Sequence, residues 1–76
     1  MPLDRNRELK AFGRHLAGLR KESGLTQEGL AERSGLHTNY IGDLERGERN
    51  PTLMTLLSIA RGLRCHPRDL LGFLKN

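Results

Sequence analysis

The chain has 76 residues, of which 36% are hydrophobic and 29% charged, a balance typical of one small folded domain and unlike that of a disordered segment. No run approaches the roughly 20 apolar residues of a membrane-spanning helix, and residues 1–10 lack the apolar stretch of a secretory signal, so we expect a cytoplasmic protein. The net charge of +4 favours a polyanionic partner, although a solvated basic surface would give the same total.

Apolar residues recur at steps of three and four along the chain, which predicts helices rather than strands. The first helix covers about residues 6–23 and ends at Gly24, because glycine readily takes the left-handed conformation of a C-cap. Thr26 can cap a second helix over about residues 27–34, and Gly35 ends it. The apolar faces of these two helices are formed by Leu9, Phe12, Leu16, Leu19, Leu30 and Ala31.

A third helix begins at His37 or Thr38, extends to about residue 46 and ends at Gly47. Thr52 can cap a fourth helix over about residues 52–61. Their predicted inward-facing residues are Ile41, Leu44, Leu53, Leu56, Leu57 and Ala60.

Pro67 suits the first turn of a fifth helix over about residues 67–74. The apolar residues of this segment are Leu70, Leu71, Phe73 and Leu74. The predicted fold is therefore all-α, with five helices packed into a single domain over residues 1–76.

The segment from Thr26 to Gly47 predicts a helix-turn-helix, two short helices that pivot on Gly35. In this geometry one helix lies across the phosphate backbone while the next enters the major groove, with its N-terminal residues nearest the base edges.

At these residues the sequence resembles the phage repressor and Cro type of helix-turn-helix, the XRE family, over essentially its full length. Within that family it looks most like small stand-alone regulators such as the controller proteins of restriction-modification systems. The motifs that carry the resemblance are Leu25-Thr26-Gln27-Glu28, Leu30-Ala31, Tyr40-Ile41, Leu44-Glu45-Arg46-Gly47, Arg49-Asn50, Pro51-Thr52-Leu53 and Leu56.

The resemblance implies a compact, lambda-repressor-like domain that binds double-stranded DNA and regulates transcription. It also implies a homodimer on palindromic half-sites, with repression and activation both open to it. An antitoxin or protein-interaction module on the same fold, with a protein partner, is the alternative. An enzyme is not expected, because the sequence shows no nucleophile with an evident base, no phosphate-binding loop and no cofactor or metal-site spacing.

Base-reading residues are expected on the face of the third helix opposite Ile41 and Leu44. There Asn39 can pair with adenine, Thr38 can offer its methyl to thymine, and Asp43 can accept from the cytosine amino group. Without that amino group, a carboxylate in the negative field of DNA is unfavourable. His37 stands where relatives cap this helix, so it is either a cap or a further base contact, and the whole face can also be read as merely solvated.

Phosphate contacts are expected around the same helix, where they set register and affinity rather than sequence preference. Gln27 opens the second helix, where its amide and free backbone N–H groups can hold a phosphate. The other candidates are Tyr40, Arg46, Arg49 and Asn50. A half-buried ring for Tyr40 and a free surface charge for Arg49 are the plainer alternatives.

Three further roles are predicted. Arg20 and Glu45 match positions that form a partly buried ion pair in many relatives. A homodimer surface is expected among Leu63, Leu70, Leu71, Phe73 and Leu74, because they cover a wider arc than one packing face needs, unless all of them fill a small core. In activating relatives an acidic patch touches RNA polymerase at the place of Glu28 and Glu32, although a solvated helix face explains these two equally well.

Glycines inside short helices are departures from the expected pattern, since glycine costs about 0.5 to 1 kcal/mol there relative to alanine. Gly29 and Gly42 are the two cases. Gly42 either permits close approach of the backbone to DNA or marks a position that needs no side chain.

Overall fold

Four α-helices and one short 3-10 helix make up the computed structural model, which describes residues 2–74. The α-helices are α1 (Arg5–Glu22), α2 (Gln27–Ser34), α3 (Thr38–Glu45) and α4 (Leu53–Leu63), and the 3-10 helix covers Pro67–Leu71. No strand occurs among the described residues. Within the same range, no helix is both long and apolar enough to cross a membrane.

Side-chain caps begin three of the four α-helices. Asp4, Thr26 and Thr52 each accept a hydrogen bond from the backbone N–H three residues later, at 3.2, 3.0 and 3.1 Å. Such a cap stabilises a helix by about 1 kcal/mol because it satisfies one of the unpaired N–H groups of the first turn. His37 precedes α3 without a side-chain cap hydrogen bond, so its ring does not serve this purpose.

The predicted fifth α-helix over residues 67–74 is wrong, because this segment forms a 3-10 helix of five residues. The N–H of Asp69 donates to the carbonyl oxygen of His66 at 2.9 Å, and the N–H of Gly72 donates to that of Asp69 at 3.2 Å. Each of these bonds spans three residues, as 3-10 geometry requires. Gly72 lies inside the predicted range and is a poor helix former, which leaves room for little more than one turn after Pro67.

The core lies between the four α-helices and the 3-10 helix, which also packs on α4. Packing joins α2 to both α3 and α4, and joins α1 to both α3 and the 3-10 helix. The buried apolar residues are Phe12, Leu16, Leu30, Ala31, Ile41, Leu44, Ile59, Ala60, Leu63 and Leu70. Because α3 is packed between α1 and α2, only its opposite face reaches solvent.

The prediction that α4 turns Leu53 and Leu57 inward is also wrong. Their side chains are exposed, Leu53 to 69%. Leu57 follows the half-buried Leu56 by one residue, or about 100° of helix rotation, and so leaves the buried face. Leu53 is the first residue of the helix, at the end of that face. The face that packs into the core carries Leu56, Ile59, Ala60 and Leu63.

Gly13 sets how closely α1 approaches the end of α3. It is buried, and a Cβ at this position would lie 2.6 Å from the carbonyl oxygen of Leu44 and closer still to that of Glu45. Both oxygens belong to backbone, which cannot swing aside as a side chain can. The two helices can therefore hold this spacing only with glycine at position 13.

We expect Gly13→Ala to lower the free energy of unfolding by about 2 kcal/mol or more, because the added methyl forces the two helices apart. Gly18→Ala is the matched control, since a Cβ at Gly18 would have no neighbour within 4 Å. That variant should instead gain about 0.5 to 1 kcal/mol from helix propensity. Urea denaturation of both variants measures the difference, and equal midpoints would contradict the close approach.

Candidate nucleic-acid interface

The turn between α2 and α3 depends on the backbone of Gly35. Its φ of 70° and ψ of 26° are left-handed, a conformation that glycine adopts without steric cost. Directly after it, the N–H of Leu36 donates to the carbonyl oxygen of Ala31 at 2.9 Å, which closes the end of α2. With Leu30 and Ile41 both buried in the core and α2 packed on α3, the turn fixes α3 with one face in the core and the other in solvent.

The solvent face of α3 forms the floor of two adjoining shallow grooves. Three residues of this face, Thr38, Asn39 and Asp43, line both of them together with Arg49. The first groove is completed by His37 and Tyr40, and the second by Gln27, Gly42 and Arg46. All four predicted base-reading residues and four of the five predicted phosphate-binding residues are thus brought together. Asn50 is exposed and lines neither groove.

Asp43 joins the two arginines of this surface. Its Oδ1 accepts a hydrogen bond from Nη2 of Arg46 at 2.5 Å, and its Oδ2 lies 3.4 Å from Nε of Arg49. Nε of Arg46 also lies 3.2 Å from a carboxylate oxygen of Glu48. Asp43, which was predicted to accept from the cytosine amino group, is therefore already paired within the protein.

Tyr40 supports Arg49 from the side of α4. The guanidinium carbon of Arg49 lies 5.8 Å from the centre of the Tyr40 ring, within the range of a cation–π interaction. The Tyr40 hydroxyl lies 3.4 Å from Oγ1 of Thr55 in the first turn of α4. The ring is half-buried and its hydroxyl is paired, so Tyr40 both packs and lines the groove.

Arg20 and Glu45 form a bidentate ion pair that ties α1 to the last residue of α3. The distances are 2.6 Å from Nε of Arg20 to Oε2 and 3.0 Å from Nη2 to Oε1 of Glu45. The third guanidinium nitrogen donates to the carbonyl oxygen of Leu25 at 2.9 Å, just before α2. The side chains are only 11% and 8% exposed, so water screens this pair weakly.

Gln27 completes this junction. Its side-chain nitrogen donates to Oε1 of Glu45 at 2.9 Å. The amide group that was predicted to bind a phosphate is therefore paired with a carboxylate of the protein. Burial alone would raise the pKa of the Glu45 carboxyl, but the hydrogen bonds from Arg20 and Gln27, with the charges of Arg20 and Lys21, outweigh it and hold the pKa below its ordinary value. The hydrogen bond to Glu45 likewise raises the pKa of Arg20.

The remaining predicted residues lie away from the grooves. Glu28 and Glu32 are exposed on α2. Leu63 and Leu70 are buried in the core, which narrows the predicted homodimer surface to Leu71, Phe73 and Leu74. Leu71 and Leu74 are 45% and 55% exposed, whereas Phe73 is half-buried against the ring of Phe12.

Sequence reasoning missed two contributors to this surface, Glu48 and Thr55, and left the reason for glycine at position 42 open. A Cβ at Gly42 would meet the guanidinium of Arg46 at 3.1 Å and the Gln27 amide at 3.6 Å, so these two side chains use the room that glycine leaves. The spacing of Asp43 and Arg46, three apart on a helix, is a readable signal for an ion pair. No comparable signal marks Glu48 or Thr55, because their contacts depend on how the chain folds back after Gly47.

This fold and this surface define a DNA-binding protein of the helix-turn-helix class. The profile of the Helix-turn-helix family, HTH_3, matches residues 16–70, and the chain belongs to that family. The resemblance seen in the sequence is thereby confirmed, and with it the expectation of a transcriptional regulator rather than an enzyme.

Three relatives illustrate the similarity. An uncharacterized HTH-type transcriptional regulator, y4dJ of Sinorhizobium fredii, is 50% identical over 54 residues, which are 71% of this chain and 70% of that protein. Control protein C.BamHI of Bacillus amyloliquefaciens is 41% identical over 63 residues, 82% of this chain and 78% of that protein. The crystal structure of the restriction-modification controller protein C.AhdI from Aeromonas hydrophila superposes with a TM-score of 0.83 at 45% identity, covering 84% of this chain and 97% of that one.

We expect Arg20→Met to lower the free energy of unfolding by about 3 to 5 kcal/mol at neutral pH, because Glu45 is left charged and without its main partner. The pKa of Glu45 is lowered on folding, so the stability gained from the pair is present above the unfolded carboxyl pKa of about 4.3 and is lost as the pH falls through the folded pKa. The penalty of the variant should therefore shrink in acid.

Chemical denaturation at neutral pH and at about pH 3 measures both effects. The double variant Arg20→Met with Glu45→Leu is the control, and it should recover most of the loss because no carboxylate remains to be desolvated. A penalty for Arg20→Met that is the same at both pH values would contradict this account of the junction.

Proposed function

We propose that this protein binds palindromic operator half-sites in double-stranded DNA as a homodimer, through the solvent face of α3. The observation that carries the proposal is the convergence of Thr38, Asn39 and Asp43 on two grooves flanked by Arg46 and Arg49. A helix with its inner face locked in the core and its outer face lined by such residues suits insertion into a major groove about 12 Å wide.

Base recognition falls to the N-terminal half of α3 in this proposal. Asn39 is exposed and can pair through both atoms of its amide with adenine, while the methyl of Thr38 can meet thymine. The exposed ring of His37 makes no cap hydrogen bond, which leaves it available to a neighbouring base. Each well-formed bidentate contact of this kind discriminates against a wrong base by about 1 to 3 kcal/mol.

Backbone contacts are assigned to the residues around α3. Arg46 and Arg49 are 57% and 60% exposed and can reach phosphates, with Asn50 beside them. At α2 the unpaired backbone N–H groups of the first turn remain free to hold a phosphate, although the side-chain nitrogen of Gln27 is engaged by Glu45. Such contacts supply affinity and register without reading a base edge themselves.

The homodimer is assigned to the surface of Leu71, Phe73 and Leu74. Two large side chains exposed at neighbouring turns give an apolar patch that a second copy could cover. A dimer also doubles the length of DNA that one short helix can read, since half-sites related by twofold symmetry lie about 34 Å apart. The relatives named control protein and controller protein support a regulatory role of this kind.

Selection of bound duplexes from a random library tests the reading of DNA. We expect an enriched sequence with two inverted half-sites, and a sequence without symmetry would count against the homodimer. Asn39→Ala should then relax one base position at a cost of about 1 to 3 kcal/mol, whereas Arg49→Ala should weaken binding to the selected duplex and flatten its salt dependence. If no sequence is enriched, the proposed function fails.

We further propose that Glu28 and Glu32 form an acidic contact for RNA polymerase. They are exposed, lie four residues apart on α2 and take no part in any ion pair between described residues. Changing both to lysine should abolish activation in a reconstituted transcription assay and spare operator binding in the same sample. Loss of DNA binding in the double variant would refute the assignment, because the residues would then belong to the DNA contact.

A further inference from the structure

Asp43 holds the two exposed arginines of the α3 surface through one carboxylate. One oxygen accepts from Arg46 at 2.5 Å, and the other lies 3.4 Å from Arg49. The carboxylate is 25% exposed, whereas the arginine side chains are 57% and 60% exposed. The acid is therefore the inner member of the cluster, and the two guanidinium groups cover it toward solvent.

The cluster carries several charges but no net charge. Arg46 and Arg49 contribute two positive charges, and Asp43 and Glu48, the latter 3.2 Å from Arg46, contribute two negative charges. While both arginines are paired with Asp43, their electrostatic attraction to DNA is reduced, because a phosphate that approaches them also approaches the carboxylate. A duplex that leaves this pairing intact gains little from either side chain.

An amino group in the major groove would change this balance. The N4 amino group of cytosine or the N6 amino group of adenine can donate to a carboxylate at the floor of the grooves, where Asp43 lies. With that donor in place, Asp43 no longer needs both guanidinium groups, and these can turn to phosphates, with which arginine forms charge-assisted bonds. Without it, release of the arginines would leave a partly buried carboxylate unpaired in the negative field of the DNA, which is costly.

We propose that Asp43 is a specificity-determining residue that exchanges partners: an amino group on the correct base takes the carboxylate, and Arg46 and Arg49 are released to the backbone. Sequence reading and phosphate binding are thereby coupled at one side chain. The inference rests on the proposed function, since it requires a duplex that the protein prefers. It differs from simple base reading, in which Asp43 would contribute at one base pair and leave the arginines unaffected.

Asp43→Asn tests the exchange, with the selected duplex and an unrelated duplex of equal length as probes. The amide removes the charge that holds the arginines, so affinity for the unrelated duplex should rise about tenfold at 0.1 M salt, the effect of about one further phosphate neutralised. The slope of log affinity against log salt for that duplex should steepen by about one. Affinity for the selected duplex should not rise, so the preference falls about tenfold.

Glu48→Gln is the matched control. It removes one carboxylate from the same cluster, but Glu48 contacts only Arg46 and lines neither groove. It should raise affinity for both duplexes by the same factor and leave the preference of the wild type unchanged. Thermal melting followed by circular dichroism verifies that both variants are folded.

Two outcomes would overturn the inference while leaving the proposed function in place. In one, Asp43→Asn relaxes a single base position and leaves both the affinity and the salt slope for unrelated DNA as in the wild type. In the other, Asp43→Asn and Glu48→Gln change the preference equally, so charge alone accounts for the effect. If the wild type itself prefers no duplex, the proposed function fails first, and the inference fails with it.

Discussion

The carboxylate of Glu45 is the point on which the arrangement of the first three helices depends. It accepts two hydrogen bonds from Arg20 of α1 and one from Gln27 of α2, while Glu45 itself is the last residue of α3. Arg20 extends the junction to the chain between α1 and α2 through the carbonyl oxygen of Leu25. Gly13 allows α1 and α3 to approach each other closely enough for Arg20 to reach Glu45. One acidic side chain thus fixes the orientation of α3 relative to both of its neighbours.

An acidic residue at the end of α3 costs free energy, which indicates that Glu45 serves the junction between the helices rather than α3 itself. A negative charge in the last turn of a helix opposes the helix dipole, and desolvation of the carboxylate adds to the penalty. A leucine at the same place would be better for α3 taken alone. The bidentate geometry of Arg20 offsets the penalty and adds direction, because two parallel N–H···O bonds fix how the carboxylate lies against the planar guanidinium. Apolar packing at Ile41 and Leu44 holds α3 in place, and the ion pair sets its angle.

Features with local causes could be predicted from the sequence. Helices α1 to α3 follow from apolar steps of three and four and from the glycines after their ends, and the caps Thr26 and Thr52 mark the starts of α2 and α4, signals that all act over a single turn. The set of residues on the solvent face of α3 follows in the same way. The predicted fifth α-helix was wrong because Gly72, a poor helix former, lies inside the predicted range and leaves room for little more than one turn after Pro67. The inward placement of Leu57 was wrong because periodicity marks an apolar stripe without showing how much of it a neighbouring helix covers.

Features that depend on tertiary pairing could not be predicted. From the sequence alone, the Gln27 amide can be assigned equally well to a phosphate or to a carboxylate, because only the fold places the end of α3 beside it. Gly13 likewise reads as a weak helix position, because only the fold packs α3 against it.

Asp43 and Glu45, two acids only two residues apart, differ in how easily their partners can be replaced. The Glu45 side chain is only 8% exposed, so water competes little for its partners. Asp43 pairs with the long, exposed side chains of Arg46 and Arg49. Water competes with Asp43 for these guanidinium groups, so the partners of Asp43 can be replaced. In the proposed function, the buried pair at Glu45 holds the angle of α3 while the exposed pairs at Asp43 exchange partners on the DNA.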